Sequence, residues 1–360
     1  MKQFFVCLLI ISFSSLPGKS FGQRADSAFS EGPYIYLQDN ILKAKWIAQG
    51  EARSSEELSP ELLESEFGWK VGLQALKKAF KKAPSPAQSF QGVDQIVVIS
   101  DIHGQFGLAE RLLQQHGVMD ANNNWIFGKG HLVVNGDIAG RGQEVTEVFW
   151  LVFKLEQQAE AAGGKVHYLV GNHEQMLLSD DLRYTHAKYT HAARTMGISV
   201  REMYGPESVL GAWLRKRPAI VTIGDYLFVH AGISPDFIVS ELTAKKTNKV
   251  FYSYILGTKR PSRQLGRTID FLNGESGPVW FRGYFVDGGI TSTDLDNTLA
   301  YFHAQRIVVG HTSLRQVTAM HRGRVIAVDS NIKEGESGEI LVIDRGQYFR
   351  GNLTGERIPL

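Results

Sequence analysis

Gln95-Ile96-Val97-Val98-Ile99-Ser100-Asp101-Ile102-His103-Gly104 sets an unbroken apolar run against an acid, an imidazole and a glycine. A short continuous run rich in β-branched residues reads as a strand covered on both faces, and the polar residues behind it then fall at the strand's carboxyl end. The arrangement recurs. His131-Leu132-Val133-Val134-Asn135 leads into Gly136-Asp137, and Val166-His167-Tyr168-Leu169-Val170 into Gly171-Asn172-His173-Glu174. Tyr226 to Val229 leads into His230-Ala231-Gly232, and Arg306 to Val309 into Gly310-His311-Thr312. Leu108 to Leu113 and Gln143 to Ala162 read as helices between the first three strands, so the order is βαβαβ, which implies a largely parallel sheet covered by helices. Val221 to Ile223, Val325 to Val328 and Ile340 to Ile343 add strands at closer spacing that read as partly antiparallel, giving a mixed α/β fold.

In open α/β sheets the carboxyl ends of the strands form the ligand crevice, so groups separated by 36, 35, 58 and 81 residues can converge there. The candidate ligands are Asp101, His103, Asp137, Asn172, His230 and His311. Two carboxylates, an amide oxygen and three imidazoles without sulfur suit Mn, Fe or Zn and disfavour copper(I). A central carboxylate such as Asp137 can bridge two ions at the roughly 3.5–4 Å separation of two-metal hydrolases, where a trapped water is acidified. A lone Asp or His at a strand end is more often a turn or helix cap; five strand ends sharing the pattern are not explained that way.

Ser100-Asp101-Ile102-His103-Gly104, Gly136-Asp137-Ile138-Ala139-Gly140-Arg141-Gly142, Gly171-Asn172-His173-Glu174, His230-Ala231-Gly232 and Val309-Gly310-His311 together resemble, in order and spacing, the signature blocks of the phosphoprotein phosphatase superfamily of metallophosphoesterases. Within it, Gly171 to Met176 and Pro278 to Phe285 make the chain most similar to the Shewanella-like protein phosphatases, over about residues 33 to 355. The resemblance implies a mixed β-sheet sandwich flanked by helices, of calcineurin-like metallophosphoesterase architecture. It implies that Asp101, His103 and a bridging Asp137 hold a first metal, and that Asp137, Asn172, His230 and His311 hold a second. It makes His173 the general acid, and sets Arg141 and Arg282 as a clamp on the phosphoryl oxygens. The implied reaction is direct attack of a bridging metal-bound hydroxide on a phosphomonoester of a protein or small molecule, without a phosphoenzyme.

The chain departs from the family pattern at Gly140, where an acid commonly precedes the Arg-Gly, so the carboxylate that would orient and charge His173 is missing. Aryl phosphates should then be favoured over phosphoserine, because a phenol of pKa about 10 leaves more readily unprotonated than an alkoxide. Ala231, where glycine is usual, is a milder departure. Two other functions remain open at this level: a nucleotide or dinucleoside-polyphosphate phosphohydrolase, and a weakly active phosphate-binding protein. Arg141 could instead pair with an acid, Trp280 could be core packing, and Arg183 reads equally as surface or phosphate contact. His116, His131, His167, His186, His191, His303 and His321 read as surface or packing residues.

Residues 1–22 read as a secretory signal, a short apolar stretch after Lys2 that ends in small residues, which points to a periplasmic or secreted protein with no stable membrane insertion after cleavage. Cleavage removes Lys2 and Lys19, leaving 37 basic against 37 acidic residues, and that neutrality argues against a nucleic-acid partner. Cys7, the sole cysteine, goes with the signal, which excludes disulfides and thiol nucleophiles. Residues 23–90 read as an accessory extension. It contains a hairpin around Asp39-Asn40, a helix started by Ser59-Pro60-Glu61, and a Lys77 to Lys82 run taken as a solvated helix face before Pro84-Ser85-Pro86. Residues 91–360 read as the catalytic domain.

Overall fold

The computed structural model describes residues 29–69, 72–81 and 83–360; the signal reading for residues 1–22 lies outside them. In chain order the strands are β1 (Glu31–Gln38), β2 (Ile41–Ala48), β3 (Glu51–Ser55), β4 (Ser89–Phe90), β5 (Gln95–Ile99), β6 (His131–Val134), β7 (Lys165–Tyr168) and β8 (Ile220–Ile223). They continue with β9 (Tyr226–Val229), β10 (Arg306–Val309), β11 (Thr318–Met320), β12 (Val325–Ala327), β13 (Glu339–Asp344), β14 (Gln347–Asn352) and β15 (Arg357–Pro359).

Alternate residues of the apolar runs divide between two cores, which is why the runs are continuous. Ile96 and Val98 of β5 pack with Val133, Phe228, Val308 and Leu341 between two sheets, while Val97 and Ile99 pack outward with the helix Val145–Ala162. On the far sheet, Leu227, Val229, Ile307 and Val309 face a second helical layer. The result is a sandwich of two six-stranded sheets between helices, ordered β15-β14-β13-β5-β6-β7 and β11-β12-β10-β9-β8-β4. β5, β6 and β7 are parallel, as are β9, β10 and β12, and antiparallel strands flank them. Both sheets are therefore mixed, as the sequence implied.

The carboxyl ends of the two parallel trios meet edge to edge. Asn135, just past β6, donates through Nδ2 to the Val229 carbonyl at 3.1 Å, and the His311 N–H bonds Asp101 Oδ2 at 2.9 Å. A side chain at Gly310 would collide with Ser100 and Asp101, so glycine is what lets the second sheet approach the first there.

The extension begins as the expected hairpin. Asp39 and Asn40 take φ of 50° and 64°, which a tight two-residue turn between paired β1 and β2 requires. β3 then adds a third strand that the polar sequence Glu51-Ala52-Arg53-Ser54-Ser55 did not announce. Ser59 caps the helix Pro60–Phe67, its hydroxyl accepting from the Leu62 N–H at 3.2 Å. The helix Leu73–Lys78 ends inside the lysine run, so only Lys77 and Lys78 lie on it; Lys77 bonds the Asn40 carbonyl at 2.7 Å, Lys78 lies 3.5 Å from Glu160, and Lys82 is outside the described residues. Ser89–Phe90 pairs with β8 inside the second sheet, so the extension ends structurally at Pro84-Ser85-Pro86 and not at residue 90. Tyr34, Ile35, Trp46 and Leu63 share one continuous core with Phe149, Trp150 and Trp213. Leu63 is fully buried, and Leu63→Ala should cost about 2–5 kcal/mol, read as a lower urea midpoint for the whole chain. A separate early transition would show instead that the extension folds as its own unit.

Polar contacts also tie the extension to the catalytic half. Buried Glu31 pairs with Lys188 at 2.6 Å and accepts from the Tyr34 hydroxyl at 2.7 Å, and Lys188 donates to the Gln143 carbonyl at 2.7 Å, two residues beyond Arg141.

Candidate active site

Each strand end turns abruptly, and the turning residues are functional candidates. Asp101, His103, Asp137, Arg141 and His311 have φ of 53°, 47°, 57°, 66° and 64°, the left-handed region that non-glycine residues seldom occupy. Such backbone costs on the order of 1–3 kcal/mol per residue and persists only where the surroundings dictate it. Here they do: the His103 N–H bonds the Asp137 carbonyl at 3.0 Å, and the His311 N–H bonds Asp101 Oδ2 at 2.9 Å.

The six proposed ligands converge, all 7% exposed or less. Asp137 Oδ2 lies 3.7 Å from His103 Nε2, 3.9 Å from His173 Nε2 and 3.3 Å from His230 Nε2. Asp101 Oδ1 is 3.9 Å from His103 Nε2, and Asn172 Oδ1 is 3.1 Å from His230 Nε2. Donor atoms of His103, Asp137 and His173 form one group within 4.8 Å, and those of Asp137, His230 and His311 another, so Asp137 belongs to both. His103 Nδ1 donates to the Ala139 carbonyl at 2.8 Å and His230 Nδ1 to the Asn135 carbonyl at 2.7 Å, which fixes the rings and turns Nε2 inward.

This donor set fits divalent cations. His311 Nε2 is buried with no hydrogen-bond partner among the described residues, an orphan that a cation would satisfy. Burial pushes the His103 imidazole down to about 3 and that of His311 to about 2, so both are neutral bases. Burial would also lower His230, but Asp137 and Asp101 outweigh it and raise it to about 10. An acidic pocket that holds a proton so firmly favours a cation by the same electrostatics.

His173 borders this centre. Its N–H bonds Asp137 Oδ1 at 2.9 Å, its ring packs 4.6 Å from that of His103, and it makes no ring hydrogen bond among the described residues. Position 140 does face it: a Cβ on Gly140 would lie 2.5 Å from His173 Nδ1, and the backbone there has φ of 79°. A carboxylate at 140 would need the imidazole to move. Arg141 is exposed and forms no ion pair among the described residues; its guanidinium stands 5.2 Å from the Tyr184 ring centroid. Arg282 lies on the His311 side, donating to the His311 carbonyl at 3.2 Å and to Thr312 Oγ1 at 2.9 Å. Arg183 instead pairs with Asp181 at 2.6 Å, and Trp280 is half-buried, 6.1 Å from the His311 ring. The remaining histidines pack or cap, such as the buried His131–His167 pair at 2.9 Å.

Residues 95–314 match the calcineurin-like phosphoesterase family. The chain belongs to that family. It is 35% identical to a cold-active protein-tyrosine phosphatase from a psychrophilic Shewanella species, whose crystal structure superposes with a TM-score of 0.83 over 92% of this chain and 99% of that one. It is 33% identical over 311 residues to Shewanella-like protein phosphatase 2 of Arabidopsis thaliana, covering 72% of this chain and 78% of the relative. A bis(5'-nucleosyl)-tetraphosphatase of Bacillus subtilis is 25% identical over 271 residues, covering 73% and 90%.

Three residues of this phosphatase were not singled out from sequence. Glu174 is fully buried and accepts from the N–H groups of Asp137 at 2.9 Å, Ala139 at 2.8 Å and Gly171 at 2.8 Å, tying the second and third strand ends together. It stands inside the quoted Gly171 to Glu174 block, and an acid three residues into a helix is a capping signal. Glu174→Ala strands three buried donors at about 1–3 kcal/mol each, and should lower both the urea midpoint and metal affinity, the latter by roughly 10–100-fold. Isothermal metal titration with unchanged affinity would contradict this. Asp329 follows β12, is buried, accepts from Ser313 Oγ at 2.6 Å, and helps burial to raise Asp101 above the usual carboxylate range. It continues the strand-end pattern at a sixth position. Tyr184 lies outside every motif.

Proposed function

We propose that this phosphatase hydrolyses phosphomonoesters of proteins and prefers phosphotyrosine-type aryl esters. The observation that carries the preference is Gly140, which faces His173 Nδ1 without offering it a carboxylate.

Asp101, His103 and Asp137 would hold one cation, and Asp137, Asn172, His230 and His311 a second; Mn, Fe and Zn all suit these donors. The ions, when bound, would acidify the attacking water and neutralise charge on the phosphoryl group. The chain's own residues do the rest. Arg141, without an ion pair among the described residues and beside Tyr184, and Arg282, held by the His311 loop, can each pair phosphoryl oxygens through the guanidinium fork. His173 presents its ring at the same centre with its backbone anchored on Asp137, so the imidazole can give a proton to the departing oxygen. Burial lowers the pKa of His173 and no carboxylate stabilises its imidazolium, so the proton-carrying form is scarce, and leaving groups that depart without a full proton suffer least.

Location in the periplasm or outside the cell belongs to this reading, supported by the composition of residues 1–22. No helix among the described residues is long and apolar enough to cross a membrane.

The test is kcat/KM of the Mn-loaded protein on matched phosphotyrosine, phosphoserine and phosphothreonine peptides, with a dinucleoside tetraphosphate as a further arm. Phosphotyrosine should lead phosphoserine by tenfold or more. Equal rates would end the aryl reading, and a leading rate on the tetraphosphate would replace it with the nucleotide one.

A further inference from the structure

We propose that Tyr184 is a specificity-determining residue of this site, an exposed aromatic platform on which the leaving group of an aryl phosphate stacks. The inference rests on the phosphatase reading above and names the residue that would recognise the aryl group.

The leaving oxygen must come within hydrogen-bond reach of His173, so whatever it carries leaves the pocket past that imidazole. The exposed ring beside it is Tyr184, centroid 5.0 Å from that of His173 at an interplanar angle of 42°. Tyr184 is 45% exposed, which is unusual for a large ring next to a buried centre. Its place is fixed from the backbone, because its carbonyl accepts from the Arg141 N–H at 2.7 Å and the Arg141 guanidinium lies 5.2 Å from its ring. The ring is therefore held at a set distance from both the acid and the phosphoryl clamp.

Gly140 is part of the arrangement. A Cβ there would sit 3.3 Å from the Tyr184 carbonyl as well as 2.5 Å from His173 Nδ1, so the bare backbone allows the tyrosine segment and the imidazole to close on each other. The residue that leaves His173 without a carboxylate thus also sets the aromatic neighbour against it. Trp280 does not duplicate this role, since it packs toward His311.

Offset or edge contacts between aromatic rings would give an aryl leaving group at least about a two- to tenfold advantage over a small alkyl group that cannot reach the ring. The test compares wild type, Tyr184→Leu and Tyr184→Phe in two measurements. The first is inhibition by benzylphosphonate and by ethylphosphonate, in which a methylene stands in for the bridging oxygen. The second is kcat/KM on phosphotyrosine and phosphoserine peptides. Benzylphosphonate should bind wild type and Tyr184→Phe about two- to tenfold more tightly than ethylphosphonate does, and Tyr184→Leu should lose that ratio while binding ethylphosphonate nearly as well. A leucine variant that weakens both phosphonates equally would show that Tyr184 acts only by holding Arg141, and an unchanged ratio would show that it does not meet the aryl group; either overturns the proposal. A wild type that cleaves phosphoserine as fast as phosphotyrosine but keeps a Tyr184-dependent phosphonate ratio would remove the aryl-ester preference and leave the platform standing.

Discussion

Asp137→Asn should abolish turnover while leaving the chain folded, with aryl phosphate hydrolysis down by about a thousandfold or more. Lewis-acid stabilisation of the reacting group supplies several kcal/mol, and each 1.36 kcal/mol is about tenfold in rate. Asp137 is where that loss concentrates because one oxygen, Oδ2, lies within 3.9 Å of three imidazole nitrogens, and the residue belongs to both groups of donor atoms that could hold a cation. Asparagine keeps the shape and can still accept from the His173 N–H, but it removes the charge and turns either an amide donor or a neutral oxygen toward the imidazoles. Metal analysis of the purified variant should show loss of bound ion in step with the rate. A variant that keeps turnover within tenfold of wild type would mean that Asp137 does not join the two groups.

His173→Asn should separate substrates. On phosphoserine peptide the expected loss is about 10²-fold, the low end for a positioned general acid, since His173 has no carboxylate to hold its proton. On aryl phosphates the loss should shrink as the leaving phenol becomes more acidic. The geometry supports this split: His173 is anchored through its backbone to Asp137 but makes no ring hydrogen bond among the described residues, and the 140 position cannot supply one without displacing it. A series of substituted phenyl phosphates reads the result directly. The variant should show a steeper dependence of log kcat on leaving-group pKa than wild type, and parallel lines would take the proton-donor role away from His173. Asn172 is the neighbour most exposed to collateral damage, so metal content should be measured on the same sample.

Much of the site was legible because strands covered on both faces cannot hide their ends. Asp101, Asp137, Asn172, His230 and His311 each follow such a run, and the parallel strands then deliver them to one edge. Asp329 obeys the same rule just past β12, but Val328-Asp329-Ser330 has neither the glycine nor the histidine that marks the other strand ends. Glu174 lay in plain view and was unassigned because its work is done on backbone N–H groups, which a sequence does not display. The facing of Gly140 and His173 followed from the family pattern, whereas the place of Tyr184 depends on how the loop after residue 178 folds back, a long-range fact with no local signature. The fold missed in the same way. β3 and β15 are short edge strands and β14 lies between β13 and β15, all with pairing that comes from their neighbours, and β4 is two residues long. The extension reads as accessory because Pro84-Ser85-Pro86 punctuates its exit, yet Tyr34, Trp46 and Leu63 complete the core around the helix Val145–Ala162.

Asp101, Asp137 and Asn172 hang from the first sheet, whereas His230 and His311 hang from the second. Ions gripped by both sets would rivet the two halves of the sandwich across their seam. Chelation should then do more than silence the enzyme: it should loosen the whole body, lowering the melting temperature by an amount that grows with the logarithm of the ratio of metal concentration to dissociation constant. In a metal-poor medium, scarcity would be felt first as fragility.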